Sequence, residues 1–236
     1  MEYWNYQISD LETELQKLQN SYQLKKIPVN LGDLDLELIK VANIDDLLDR
    51  ANDPDEIPFW AEIWPASIGL ASFMLRNKAE FEGKTLLELG AGVGLAGIAA
   101  KLAGAKVVQS DFTVEALRFT RINCLRNNIV PSELLLADWR NFPTNIKFDL
   151  IIGADILYEK TLHNQLAKIF ENQLNSDGII WLADPGRNYG KDFIKNSKEA
   201  GWIVNEDVEA VYYEERNYQI DIYGLKPKGT SGNMFR

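Results

Sequence analysis

Between Thr85 and Asp184, short apolar runs alternate with longer stretches whose apolar positions recur every three to four residues, the pattern of buried strands separated by covering helices. The runs predict strands at 85–90, 106–111, 134–138, 148–154 and 178–184, and the periodic stretches predict helices at 95–103, 113–127, 160–174 and 190–200. Strands joined through helices run parallel, so the expectation is an α/β fold, a doubly wound and mostly parallel sheet covered on both faces. The last third changes character. Val208 to Tyr213 and Asn217 to Leu225 are extended runs joined only by Glu214-Glu215-Arg216, too short for a parallel crossover. They predict a C-terminal antiparallel hairpin that brings the sheet to seven strands.

Ahead of this region, Leu11, Leu15 and Leu18 mark an amphipathic helix over Ser9 to Leu24, with Ser9 or Asp10 as its cap. Leu34 to Ile39 alternates like a half-buried strand, and Asp45 to Ala51 reads as a short helix stopped by Asn52-Asp53-Pro54. Trp64-Pro65 opens a further helix to Leu75, proline fitting the first turn where its missing N–H is harmless. The division expected is an N-terminal extension over residues 1–56 and a main domain over 57–236.

The chain has 236 residues, 46% hydrophobic and 25% charged, enough for one α/β domain with a full core and ordinary for a globular protein. A formal net charge of −10 argues against a nucleic-acid partner, which would demand clustered Lys and Arg, and it suits a lysine-presenting partner. No apolar run approaches membrane-spanning length, and Met1 to Tyr6 lacks the basic start and apolar segment of a secretory signal, so a cytoplasmic monomer without a membrane partner is expected. Cys124 is the single cysteine and His163 the single histidine, which excludes an internal disulfide and leaves no ordinary metal site. Cys124 reads as a small buried apolar residue, and His163 as a histidine on a helix surface.

Candidate chemistry concentrates where the predicted strands end. The run Leu86-Leu87-Glu88-Leu89 breaks into Gly90-Ala91-Gly92-Val93-Gly94 and re-enters helical sequence, a loop whose bare backbone lets a bulky ligand lie against it. Glu88, two residues before the first glycine, suits the sulfonium and amino end of S-adenosyl-L-methionine (AdoMet). Gly92-x-Gly94-x-x-Gly97 also matches the dinucleotide fingerprint, so an NAD-binding oxidoreductase stays open as an alternative. Asp111, closing the next strand, suits a ribose diol and would equally serve as a helix cap. Asp138-Trp139 follows Leu134-Leu135-Leu136-Ala137 and suits adenine, the acid accepting the exocyclic amine and the indole covering the ring; Trp139 would equally serve as a core aromatic. Phe148 to Ala154 is a buried strand ending in Asp155-Ile156-Leu157-Tyr158, and its expected neighbour is the glycine-loop strand. A carboxylate there orients an attacking amine, and an aromatic ring favours a cationic product. The alternative is that Asp155 caps the next helix with Tyr158 packed below it.

Pro58-Phe59-Trp60-Ala61-Glu62-Ile63-Trp64-Pro65, the Glu88-x-Gly90-x-Gly92-x-Gly94 loop, Asp138-Trp139 and Asp155-x-x-Tyr158 together resemble the seven-β-strand protein lysine methyltransferases called methyltransferase family 16, over about residues 57 to 185. The resemblance implies a Rossmann-like class I methyltransferase fold, with catalysis on Asp155 and Tyr158 and with Trp64-Pro65 walling the AdoMet pocket. The set implied for the cofactor is Trp64, Glu88, Gly90, Ala91, Gly92, Gly94, Asp111, Asp138, Trp139 and Ala154. It implies methylation of a lysine side chain on a protein substrate, with a small-molecule amine as the alternative acceptor. Asp184-Pro185-Gly186-Arg187 further resembles the segment after the corresponding strand in the electron-transfer-flavoprotein β-subunit lysine methyltransferases.

Overall fold

The structure, a computed structural model, describes residues 11–49, 57–143 and 146–229. The expected caps Ser9 and Asp10, Ala51 and the Asn52-Asp53-Pro54 breaker lie outside those residues. Helix α1 (Leu11–Ser21) leads into β1 (Leu24–Asn30) and β2 (Asp35–Val41), which pair antiparallel from Leu24 opposite Val41 to Asn30 opposite Asp35, followed by the short α2 (Asp45–Leu48). The expected helix over Ser9 to Leu24 therefore ends before Leu24. The strand that follows it, β1, carries only Ile27 and Val29 inward, with Lys25 and Lys26 exposed and Pro28 between, so its alternation is faint and its proline reads as a breaker. A two-stranded sheet accommodates that proline because β1 needs partners on one side only.

After α3 (Pro65–Arg76), the expected alternation unfolds in order: β3 (Thr85–Leu89), α4 (Leu95–Leu102), β4 (Lys106–Asp111), α5 (Val114–Arg126), β5 (Glu133–Leu136), β6 (Phe148–Ala154), α6 (His163–Gln173), β7 (Leu174–Asp184) and α7 (Asn188–Glu199). The chain closes with β8 (Ile203–Tyr213) and β9 (Arg216–Lys226). The seven-stranded sheet runs β5-β4-β3-β6-β7-β9-β8, parallel as far as β7 and antiparallel thereafter. The hairpin turn is Glu214-Glu215, both at positive φ (47° and 61°), a tight connection whose twist matches the strands it joins. Strand β7 begins earlier than expected because its pairing with β6 slips after Phe148: residue 174 pairs with 148, but 179 pairs with 150. Gly178 admits the slip, since a Cβ there would stand 2.8 Å from the Asp149 carbonyl oxygen.

The period of two along the buried strands divides the core between the faces. Leu86, Leu150, Ile152 and Trp181 point toward the side packed by α3, α4 and α5, while Leu87, Leu89, Ile151 and Leu182 meet residues of α6 and α7 on the other. The N-terminal hairpin belongs to the first side, where Leu38 and Ile39 are fully or almost fully buried. Its anchor is Asn123 of α5, wholly buried: its amide donates to the Ile39 and Val93 carbonyls (3.0 and 2.8 Å) and accepts from the Ile39 N–H (2.7 Å). One side chain thus joins the hairpin to the loop that precedes α4.

Candidate active site

Parallel strands present their carboxyl ends along one edge, and helices that start there leave a crevice at that edge. Ala91 closes the turn after β3 by donating its N–H to the Ser110 carbonyl of β4 (2.9 Å). Gly90, at φ +69°, has no room for a side chain, because a Cβ would lie 3.1 Å from Ile156 and 3.5 Å from the Trp139 ring. Gly92 follows at φ +53°, and Gly94 at φ +92° is the residue on which α4 begins.

Glu88 is turned inward rather than out to solvent. It is 3% exposed, and its two oxygens accept from the Gly97 N–H of α4 (3.0 Å) and from the Gln109 amide of β4 (2.7 Å). Burial outweighs these bonds and pushes its carboxyl from 4.5 up to about 8. The folded protein therefore holds a proton on Glu88 that the unfolded chain releases near pH 4.5. The resulting stability is full below about pH 4.5 and is lost as pH rises through about 8, at up to about 1.4 kcal/mol per pH unit. Glu88→Gln can keep the Gly97 bond without a titrating group. Across pH 5 to 8 its urea stability relative to wild type is expected to rise; a constant difference would show that Glu88 is ionised in the fold.

Asp111 fastens the loop. Its carboxylate accepts from the Gly92 N–H (2.9 Å) and from the Thr113 N–H (3.1 Å), and burial raises its pKa against those bonds. It does not cap α5: that cap is Thr113, whose hydroxyl accepts from the Ala116 N–H (3.4 Å). On the opposite wall Asp138 accepts from the Arg140 N–H and guanidinium (2.8 and 2.9 Å). Burial works upward on it, but the Arg140 bonds prevail and its carboxyl stays below the ordinary range. Arg140 also lies over the half-exposed Phe112 ring, 5.3 Å from its centroid. Trp139 packs on the second core cluster and also lines the crevice.

Strand β6 adjoins β3, with Leu89 opposite Gly153, and so delivers Asp155 and Tyr158 beside the glycine loop. Asp155 sits at φ +59°, a region that Asp tolerates better than most residues, and its N–H donates to the Ala183 carbonyl (2.8 Å). It caps neither helical segment that follows, since neither the turn at 160–162 nor α6 has a side-chain cap. Its carboxylate instead forms an ion pair with Arg187, a second guanidinium nitrogen lying 3.1 Å from Oδ2. The turn is held from below by His163, which is buried rather than on a helix surface: its Nε2 lies 3.1 Å from the Leu157 carbonyl, and Phe193 stands edge-on to the ring. That contact assigns the proton to Nε2. Phe59 bridges the mouth, its ring 5.1 Å from Tyr158 and 6.2 Å from Trp64, whose indole N–H donates to the Phe59 carbonyl (2.8 Å).

One crevice of about 1180 Å³, open mouth included, is lined by Trp64, Glu88, Gly90, Ala91, Gly92, Asp111, Asp138, Trp139, Ala154, Asp155 and Tyr158. Of the residues expected to form the site, Gly94 stands outside this lining, directed instead at Thr120 of α5, where a Cβ would meet the backbone at 2.9 Å, and Pro65, expected to wall the pocket with Trp64, is outside it as well. Sequence reasoning named Phe59 and Arg187 only inside resembling segments, without a role, and did not single out Phe112 or Arg140. For Arg187 a signal existed: adjacent parallel strands ending in Asp155 and Asp184 place a basic residue three positions beyond the second carboxylate.

A protein-family model described as "Lysine methyltransferase" matches residues 48–200. The electron transfer flavoprotein beta subunit lysine methyltransferase of Mus musculus is 35% identical over 136 residues, 57% of this chain and 53% of that protein. Protein N-lysine methyltransferase METTL21A of Danio rerio is 33% identical over 130 residues, 52% of this chain and 59% of that protein. The chain thus spans about half the length of the curated relatives it matches. A crystal structure of a putative RNA methyltransferase from Pyrococcus horikoshii superposes with a TM-score of 0.58 at 22% identity, covering 83% of this chain and 93% of that one, a likeness of fold.

Proposed function

The chain belongs to the lysine methyltransferase family, and from that membership we propose that it transfers a methyl group from AdoMet to a lysine side chain of a protein substrate. The observation that carries the reading is the meeting, on neighbouring strands, of the bare Gly90–Gly92 backbone with Asp155 and Tyr158 in one crevice. The residues present suit AdoMet. Gly90, Ala91 and Gly92 line the crevice together with the Trp139 indole and the carboxylates of Asp111, Asp138 and Asp155, the mix of bare backbone, aromatic face and acids that a nucleoside with an amino-acid tail can use. Gly90, Ala91 and Gly92 would hold the methionine end, Asp111 the ribose, and Asp138 with Trp139 the adenine. Glu88 and Asp111 support that backbone from beneath, through Gly97 and Gly92.

The group supplies an electrophilic methyl carbon. The chain's own residues do the rest. Asp155 accepts a hydrogen bond from the incoming nitrogen and turns its lone pair toward the loop, and the Phe59, Trp64 and Tyr158 rings line the approach and favour the methylated cation. A tritium-labelled AdoMet incubation with dialysed lysate protein tests the reading. Label in a protein band, mapped by mass spectrometry to lysine, is expected; label confined to the low-mass fraction would assign the enzyme to a small amine instead.

A further inference from the structure

Arg187 is no part of the crevice lining, yet its guanidinium is fixed on Asp155, the carboxylate that faces the acceptor. The local chain is built to aim it. Asp184, 1% exposed at the end of β7, accepts from the Gly186 and Arg187 N–H groups (2.8 and 2.7 Å), and Gly186 turns at φ +85°. Gly190 then lets α7 start directly against Asp184, where any Cβ would lie 2.8 Å from the carboxylate. The result is a guanidinium held on Asp155 while standing outside the crevice lining.

That placement bears on a chemical difficulty. Only a neutral amine attacks a methyl group, whereas a lone carboxylate stabilises an ammonium and raises its pKa above the ordinary value of about 10.4. A carboxylate already paired with a guanidinium keeps lone pairs for accepting hydrogen bonds and loses much of its pull on a positive charge. Resting on the methyltransferase reading above, we infer that Arg187 is a positioning residue that offsets the charge of Asp155, so that the target lysine enters and reacts as a free amine. The lone pair of that amine forms the N–C bond while the S–C pair stays on sulfur, and the methylammonium then loses a proton to water.

The other charged groups nearby have partners of their own or lie farther round the site. Asp184 is answered by two backbone N–H groups, by Lys191 of α7 and, at 4.0 Å, by Arg187 itself, and Asp221 of β9 accepts from the Tyr223 hydroxyl (3.0 Å). Tyr158 and Glu159 follow Asp155 on its own loop, Glu62 on the rim is paired with Lys40 of β2, and Glu88 lies below the glycine loop. Of these only Asp184 loses a contact when Arg187 is replaced, and it lacks a place in the crevice lining, so a shift in the pH dependence of transfer is read at Asp155.

The test is the initial rate of tritium transfer to one dialysed lysate preparation between pH 6 and 10, for wild type, Arg187→Lys and Arg187→Gln, each at saturating AdoMet. Titration of the substrate proteins themselves cancels between the enzymes. Arg187→Gln is expected to move the midpoint up by about one pH unit, to be about tenfold slower at pH 7 and to recover at pH 10; Arg187→Lys is expected to keep the wild-type midpoint. A midpoint unmoved in Arg187→Gln, or a rate lowered equally at every pH, would overturn the inference while leaving the enzyme a methyltransferase. No label in any protein with wild type would instead remove the functional reading beneath it. Should Arg187→Gln fail to bind S-adenosylhomocysteine, Arg187→Met takes its place with the same expectation; failure of both would assign Arg187 to folding and overturn the proposal.

Discussion

Asp155→Asn is expected to lower methyl transfer by roughly a hundredfold or more while S-adenosylhomocysteine binds with near wild-type affinity. The substitution suits the question because asparagine has the shape of aspartate and also tolerates the φ of +59° found here. It leaves the backbone N–H on the Ala183 carbonyl, so the turn that carries Tyr158 stays in place. What it removes is the charge that Arg187 is fixed on and one of the carboxylate's two acceptor oxygens. The acceptor nitrogen would then meet a mixed donor and acceptor, and its lone pair would lose its direction. Turnover by tritium transfer and affinity by calorimetry separate the two outcomes. Unchanged turnover with unchanged affinity would take Asp155 out of the reaction.

The second large effect concerns a residue that touches no ligand. Gly97→Ala is expected to destabilise the fold by on the order of 3 kcal/mol and to weaken S-adenosylhomocysteine binding with it. A Cβ at this position would stand 2.2 Å from the Gln109 amide nitrogen and 2.3 Å from a Glu88 oxygen. Neither neighbour has room to retreat: Gln109 is wholly buried and Glu88 nearly so, and the two are bonded to each other. Relief must come from α4 lifting off β3, which drags Gly94 and the loop ahead of it. Urea unfolding and calorimetry on one sample read both effects. A variant as stable as wild type would show that Glu88 and Gln109 do not pack under the helix as found.

These consequences explain which parts of the molecule the sequence made legible. The glycine loop and the Asp155 turn were visible because a buried parallel strand is a continuous apolar run, and its abrupt end marks the edge where ligands bind. The terminal hairpin was visible because three polar residues cannot carry a crossover. Strand β1 was not visible, since only Ile27 and Val29 bury and the proline between them contradicts the pattern. The burial of His163 escaped for another reason. Helical periodicity ranks apolar residues, and it is silent on an imidazole whose partner is the Leu157 carbonyl of its own preceding turn. Glu88 was found but its direction was not, because the groups that claim its oxygens come from α4 and from β4, elements that a linear reading cannot orient. Arg187 belongs to the same class: its partner is 32 residues earlier, across a strand boundary.

If the loop after β3 presents a methyl donor to Asp155 and Tyr158, crystals of the full chain with S-adenosylhomocysteine will show it. The sulfur is expected beside the Gly90–Gly92 backbone, on the side facing Asp155 and Tyr158, with the adenine against Trp139. A ligand seated elsewhere, or one whose sulfur is turned away from that acid and phenol, would contradict it.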